Sequence, residues 1–331
     1  MTRILYPEQL EQAAAILQSG GVVAFPTETV YGLGADGINP VAVQKIYRAK
    51  NRPASDPLIL HLERPLDFAA VADLRGREAL LERLAPLMPG ALTLVLPKLP
   101  HIPLEVTAGG SSVAVRVPAH PLAQALIAAV GVPLAAPSAN LFSRPSPTSA
   151  QMVLEDLDGR IDAVLDGGSC PIGLESTVLS LLGAPTLLRP GGVVLEQIEA
   201  CIGEVLLPYE TLSEQHIQPA PGMLLKHYSP RAQMLLVSTP KLLLEVGARY
   251  QEQRLGLLLP SQSLEHVKHL RAERFDLGAD DLSIAMRLFA GLRALDALGC
   301  THILAHKFTN RGLGRALNDR LYRAASGKVI G

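Results

Sequence analysis

The chain has 331 residues, 48% hydrophobic and 18% charged, with a formal net charge of −1. That length predicts two domains, and the composition supports a sizeable core and excludes general disorder. The near-neutral charge excludes a global attraction to nucleic acid or anionic membrane, so any polyanion must meet a local patch.

In chain order, Pro7 to Ser19 predicts an amphipathic helix, with Leu10, Ala13, Ala14 and Leu17 on one face and Gly20-Gly21 as its stop. Gly21 to Phe25 then reads as a short buried strand ended by Pro26. Asn39-Pro40 opens a helix reaching about Ala49, since Asn suits the cap and Pro the first turn. Further strands are expected at residues 58–62, 92–96, 113–117, 134–136, 163–165, 176–181 and 186–188, and helices at 77–84, 121–130, 149–157 and 195–201. Many short strands separated by irregular helices predict an α/β fold with a twisted mixed sheet rather than a strict βαβ repeat. Residues 206–231 are proline-rich, lack periodicity and read as a linker. Beyond it, strands at 232–237, 255–259 and 302–305 alternate with helices at 241–251, 282–298 and 313–325. That alternation predicts a small Rossmann-like domain with a parallel sheet. The expected organisation is a larger first domain over 1–205, the linker over 206–231 and the small domain over 232–331.

Several stretches carry chemistry. Lys50 and Arg52 leave a helix one residue apart and Pro53 fixes the exit, which makes an anion clamp of a point charge and a planar fork. Ser138-Ala-Asn140, in an apolar segment bounded by prolines, is its expected neutral partner, and a nucleotide fits both. Pro26-Thr-Glu-Thr-Val-Tyr-Gly-Leu-Gly34 reads either as a ligand loop at a strand end or as a Gly-rich turn in which Thr27 or Thr29 satisfies the local backbone. Arg116 lies inside Val113-Ala-Val-Arg-Val117, where it must meet a protein carboxylate or await an anion. Ser111 and Ser112 follow a Gly109-Gly110 turn whose amides are expected to be open to anions. Arg189 and Glu175-Ser176-Thr177 add polar groups at other strand ends.

Other chemistries are excluded. The chain has no GxxxxGK[ST], HExxH or GxSxG sequence, and Gly312-Leu-Gly314 is a lone helix entry. Cys170, Cys201 and Cys300 are far apart with no CxxC pair, which argues against a disulfide framework or a cysteine zinc site and for a reducing compartment. The first residues lack a signal-peptide core, and the apolar stretch 122–137 is interrupted by Gln124, Gly131 and Pro133. A soluble cytoplasmic protein is expected.

Together, PTETVYGLG from Pro26, the KxR of Lys50 and Arg52, VAVRVP ending at Pro118, APSAN ending at Asn140, RPSPT ending at Thr148, EST ending at Thr177 and LLRPG ending at Gly191 resemble the threonylcarbamoyl-AMP synthase family, with its YrdC-like catalytic domain. Lys226-His-Tyr-Ser-Pro230 and the α/β tail resemble the longer, two-domain form. The resemblance implies a cationic cavity that joins L-threonine, bicarbonate or CO2, and ATP into threonylcarbamoyl-AMP and pyrophosphate, for threonylcarbamoyladenosine in tRNA. It implies catalytic roles for Lys50 and Arg52. ATP contacts are implied for Lys50, Arg52, Asp56, Ser112, Asn140, Ser146, Arg189 and Tyr228, the last reaching in from a linker that crosses the active site. Threonine contacts are implied for Thr29, His61, Arg116, Ser138 and Ser176. Mg2+ is expected mainly through the ATP phosphates, without a protein metal site. The implied partners are downstream tRNA threonylcarbamoyl-transfer proteins, with tRNA or double-stranded RNA as a further contact and no membrane.

One departure stands out. The family usually reads Asn-Pro-Leu where this chain has Asp56-Pro-Leu58. A carboxylate facing triphosphate repels it, so Asp56 is expected to pair with Lys50 or Arg48 or to lie on the metal side. Asn51 stands where the family often has Gly, and Asn tolerates a left-handed turn. Two other readings remain. A hydrogenase-maturation-type carbamoyltransferase carries a similar domain but adds zinc-binding cysteine pairs. A double-stranded RNA-binding module suits a basic cavity but not the near-zero net charge.

Overall fold

The structure is a computed structural model that describes residues 1–207, 228–250 and 252–331. They form two compact units: residues 1–142, 147–171 and 175–207 make the first, and residues 143–146, 172–174 and those from 228 onward make the second. Most of the expected linker, with Lys226 and His227, lies outside the described residues.

The first unit is built on ten strands among the described residues: β1 (Arg3–Leu5), β2 (Val23–Phe25), β3 (Gly32–Asp36), β4 (Ile59–His61), β5 (Leu92–Pro97), β6 (Ser112–Arg116), β7 (Leu134–Ala135), β8 (Ala163–Leu165), β9 (Thr177–Ser180) and β10 (Thr186–Arg189). They join in the order β1-β8-β2-β3-β7-β4-β6-β5-β9-β10, with parallel and antiparallel pairs mixed. The α-helices are α1 (Leu10–Gln18), α2 (Pro40–Lys50), α3 (Glu78–Leu84), α4 (Leu104–Thr107), α5 (Pro121–Val130), α6 (Ala150–Leu157) and α7 (Leu195–Ile202). The apolar face read from the spacing of α1 is the one buried: Ala13, Ala14 and Leu17 pack with Ala123, Leu126 and Ile127 of α5 and with Val23 and Phe25 of β2. Burying each of the larger side chains, Leu17, Leu126, Ile127, Val23 and Phe25, stabilises the fold by roughly 1.5–3 kcal/mol.

The Gly-rich stretch is divided more finely than its composition suggests. Only its first part is a loop, and Gly32-Leu-Gly34 enters β3. The reason is packing. A Cβ at Gly34 would stand 2.8 Å from the Phe25 ring, so glycine there makes room for an aromatic on the paired strand. The Gly109-Gly110 turn also differs from expectation. Its two amides bond the carbonyls of Leu104 and Thr107 and close α4, so they are not open to an anion.

The second unit has a wholly parallel sheet of β11 (Gln233–Val237), β12 (Leu255–Leu259), β13 (Glu273–Asp276) and β14 (His302–His306), in the order β11-β14-β12-β13. Around it lie α8 (Leu243–Tyr250), α9 (Ser261–His266), α10 (Asp281–Ala297) and α11 (Leu313–Ala324). Among the described residues no helix is long and apolar enough to cross a membrane.

The cation clamp is delivered by α2. Asn39 Oδ1 accepts the amides of Val41 (3.0 Å) and Ala42 (3.3 Å), and Pro40 sets the first turn. At the other end Asn51 sits at φ 52°, left-handed, so the chain turns between Lys50 and Arg52. Replacing Asn39 with Ala should lower stability by about 1 kcal/mol in urea unfolding, because two amides lose their acceptor. An unchanged midpoint would contradict this.

Candidate functional site

Two groups of buried polar side chains form in the first unit. The first crosses the sheet. His61 ends β4, Arg116 ends β6 and Thr93 lies on β5, and Arg116 is the register partner of both. Arg116 does meet a protein carboxylate: its Nη2 lies 2.6 Å from Glu28 Oε1 and its Nε donates to Gly90 O at 3.2 Å. Glu28 Oε2 accepts the Ala119 amide at 3.0 Å, so both carboxylate oxygens are satisfied. Burial pushes the Glu28 carboxyl up, but the Arg116 charge and the hydrogen bonds outweigh it and hold the carboxyl below its ordinary value. The pair therefore stays ionised, and Nη1 of Arg116 keeps no partner among the described residues.

His61 is 3% exposed and packs edge-on to Phe25. Burial, then the Arg116 charge, pushes its pKa down to about 3, so the ring is neutral. Its Nδ1 faces Ile59 O at 3.2 Å, which assigns the proton to Nδ1 and leaves Nε2 as an acceptor. The Thr27 hydroxyl donates to Val30 O at 2.7 Å, so the 2.7 Å contact with Thr29 must be donated by Thr29. Thr27 thus serves the local backbone, while the Thr29 oxygen retains acceptor capacity. An acceptor hydroxyl, an acceptor imidazole and a guanidinium edge together suit a small molecule carrying an amine and a carboxylate.

The second group surrounds the clamp. Lys50 Nζ donates to the carbonyls of Ser138 (2.5 Å) and Asn140 (2.6 Å), bringing together the two stretches paired from sequence. The Ser138 segment is held in turn by β3, since Leu33 N–H bonds Pro137 O and Ala139 N–H bonds Tyr31 O. Asn140 is buried and donates its amide to Leu141 O. Arg52 donates to the carbonyls of Asp56 (3.1 Å) and Pro57 (2.8 Å) and lies 2.8 Å from Asp56 Oδ2. The ion pair of Asp56 is therefore with Arg52, four residues away, and Arg48 is exposed. Tight curling of the 52–57 loop explains the choice.

Ser176 bonds residues of two strands. Its hydroxyl lies 2.7 Å from Thr93 Oγ1, and its carbonyl accepts Nε (3.2 Å) and Nη2 (2.9 Å) of Arg189. Ser112 begins β6 while Arg116 ends it, roughly 13 Å apart along the strand. Ser146 is buried and Tyr228 fully so, and both belong to the second unit. There the Tyr228 ring lies between Phe289 (5.4 Å) and Arg320 (5.3 Å).

Three contributors escape a reading of the sequence. Glu28 was visible only as a carboxylate in a loop. Thr93 was hidden in the apolar run Leu-Thr-Leu-Val-Leu, where one hydroxyl was its only signal. Tyr47 reaches the main-chain oxygens of Glu105 (2.7 Å) and Asp56 (3.2 Å) and props the Arg52 loop.

A mixed-sheet α/β unit with a cation-rich polar site, followed by a small parallel α/β unit, defines a two-domain small-molecule-binding protein. Residues 15–191 match the Sua5/YciO/YrdC family model, described as "Telomere recombination", and residues 193–326 match "Threonylcarbamoyl-AMP synthase, C-terminal domain". The threonylcarbamoyl-AMP synthase of Bacillus subtilis is 45% identical over 97% of this chain and 94% of its own. That of Pyrococcus abyssi is 42% identical over 96% and 94%. The crystal structure of P. abyssi Sua5 complexed with L-threonine superposes with a TM-score of 0.92 at 38% identity, covering 100% of this chain and 99% of that one. The chain belongs to the threonylcarbamoyl-AMP synthase family.

The neutral state of His61 has a consequence for acid stability. Its folded pKa of about 3 lies below the ordinary 6.5, so the unfolded chain takes up a proton that the folded chain refuses. Stability is fully present above pH 6.5 and is lost as pH falls toward 3, by roughly 2 kcal/mol between pH 6.5 and 5. Urea unfolding at both pH values should show that His61→Gln loses this part of the acid sensitivity. Equal sensitivity in both proteins would contradict the assignment.

Proposed function

We propose that the chain is a threonylcarbamoyl-AMP synthase, an enzyme that joins L-threonine, bicarbonate or CO2, and ATP into threonylcarbamoyl-AMP and pyrophosphate. The observation that carries this reading is the presence of two buried charged groups in the first unit, Arg116 with Glu28 and Lys50 with Arg52. One is suited to an amino acid and the other to phosphates. The names of the relatives and the threonine complex of the P. abyssi protein support it.

On this reading Arg116, locked by Glu28, takes the threonine carboxylate through its Nη1 edge. Thr29 and His61 accept from the amine, with Ser138 and Ser176 beside them. Lys50, Arg52, Asn140 and Arg189 take ATP, joined by Asp56 and Ser112. The threonine amine adds to CO2 and loses a proton, giving a carbamate. A carbamate oxygen then attacks the α-phosphorus, and the bond to the bridging oxygen breaks to release pyrophosphate. The carbamate is already an anionic nucleophile, so no Ser–His pair is required. Lys50 and Arg52 act by alignment and charge neutralisation, which makes the reaction a nucleotidyl transfer.

Mg2+ is the accompanying ion in this proposal. The second group offers cations and backbone oxygens, a donor set suited to phosphates that bring their own metal. When bound, the ion neutralises phosphate charge. A cytoplasmic location fits the unpaired cysteines. The product would pass to the proteins that transfer threonylcarbamoyl to tRNA, with direct tRNA contact as part of the same proposal.

Pyrophosphate release should require ATP, L-threonine and bicarbonate, and should fall to background when any one is omitted. Release that ignores threonine would overturn the assignment.

A further inference from the structure

Asp56 is a buried titratable group that the reaction above gives no chemical task. It is 1% exposed, and among the described residues neither carboxylate oxygen accepts an aligned hydrogen bond. Arg52 Nη2 stands 2.8 Å from Oδ2, close enough for charge pairing but off hydrogen-bond alignment. The charges acting on it are cationic: Arg52 in the turn after α2, Lys50 at the end of α2, and Arg189 at the end of β10. Tyr47 of α2 meets the main-chain oxygen of Asp56, not its carboxylate, and ties it to the Glu105 carbonyl in α4. The Glu105 carboxylate is engaged by Gln44.

A triphosphate entering among these cations adds negative charge beside a desolvated carboxylate that has no aligned donor among the described residues. Two anions sharing such a site favour protonation of one of them. Burial already works in that direction, against the three cations, and the net displacement of the carboxyl is upward. A protonated carboxyl offers one donor and one acceptor on a planar group.

We propose that ATP binding is proton-linked at Asp56: without nucleotide its carboxylate is the counter-ion of Arg52, and when the phosphates arrive it takes one proton from solvent and donates it in a hydrogen bond to a phosphate oxygen. The proton adds to a carboxylate oxygen, and no other bond is made or broken. The inference rests on the reading of the Lys50–Arg52 group as the ATP grip.

The test is calorimetric titration of Mg·ATP into the full chain and into Asp56→Asn, between pH 6.5 and 8.5, in buffers of differing ionisation enthalpy. Protons exchanged by ATP itself are common to both proteins, so the difference reports Asp56. The wild-type protein should take up as much as one more proton per ATP than the variant. Its Kd should rise by up to about tenfold per pH unit between the Asp56 pKa of the free protein and the higher one of the complex, and level off above that, while the variant stays flat and binds more tightly at high pH. Equal proton uptake with parallel pH profiles would overturn the inference alone. Weaker ATP binding by Asp56→Asn that excess Mg2+ restores would also overturn it, by making Asp56 a metal ligand. If Asp56→Asn fails to fold by circular dichroism, Asp56→Ser takes its place. Wild-type uptake no greater than that of ATP complexed by Mg2+ in solution then overturns the inference. Absence of ATP binding by the wild-type protein would overturn the underlying reading as well.

Discussion

The ammonium of Lys50, buried against the carbonyls of Ser138 and Asn140, is the interaction on which the rest of the site depends. A buried ammonium is costly unless its donors are met, and main-chain oxygens meet them without adding a competing charge. Meeting them forces the Ser138 segment to run past the end of α2. β3 holds that segment from its other side through Leu33 and Ala139. Helix, strand and polar segment are thereby fixed as one unit, and Arg52 is placed by the left-handed turn at Asn51.

Charge is handled in two different ways within this frame. Arg116 has a permanent counter-ion, because both oxygens of Glu28 are saturated by an Arg116 N–H and the Ala119 amide. Arg52 has a provisional one, because Asp56 is buried yet accepts no aligned hydrogen bond among the described residues. A locked pair suits a site that presents one fixed edge to a small carboxylate. A loosely satisfied pair suits a site whose charge changes when a polyphosphate enters. Ser176 bonds both Thr93 and Arg189.

The parts legible in the sequence are those set by local rules. The Asn39 cap, the apolar face of α1 and the helix at residues 121–130 follow from capping and periodicity, and the structure contains all three. The juxtaposition of Lys50 with Ser138 and Asn140 was also readable, since each segment was chemically odd for a core. The Glu28–Arg116 pair was not, because its members are 88 residues apart and pairing partners leave no local signal. β3 was hidden because its glycines serve the packing of Phe25, although glycine in sequence normally signals a turn. β13, Glu-Arg-Phe-Asp at the sheet edge, lacks apolar alternation because most of it is exposed. The partner of Asp56 was misjudged for a related reason. Lys50 or Arg48 was the expected cation, whereas the loop after α2 curls Arg52 back within reach.

The central claim is that the two groups bind different substrates, and calorimetric titration of L-threonine and of Mg·ATP into Arg116→Lys and Arg52→Lys tests it most directly. Lysine keeps the charge but loses the planar fork. Arg116→Lys should weaken threonine binding by about tenfold or more while leaving ATP binding nearly unchanged, and Arg52→Lys should do the reverse. Equal loss of both ligands in either folded variant, or loss of neither, would contradict the account.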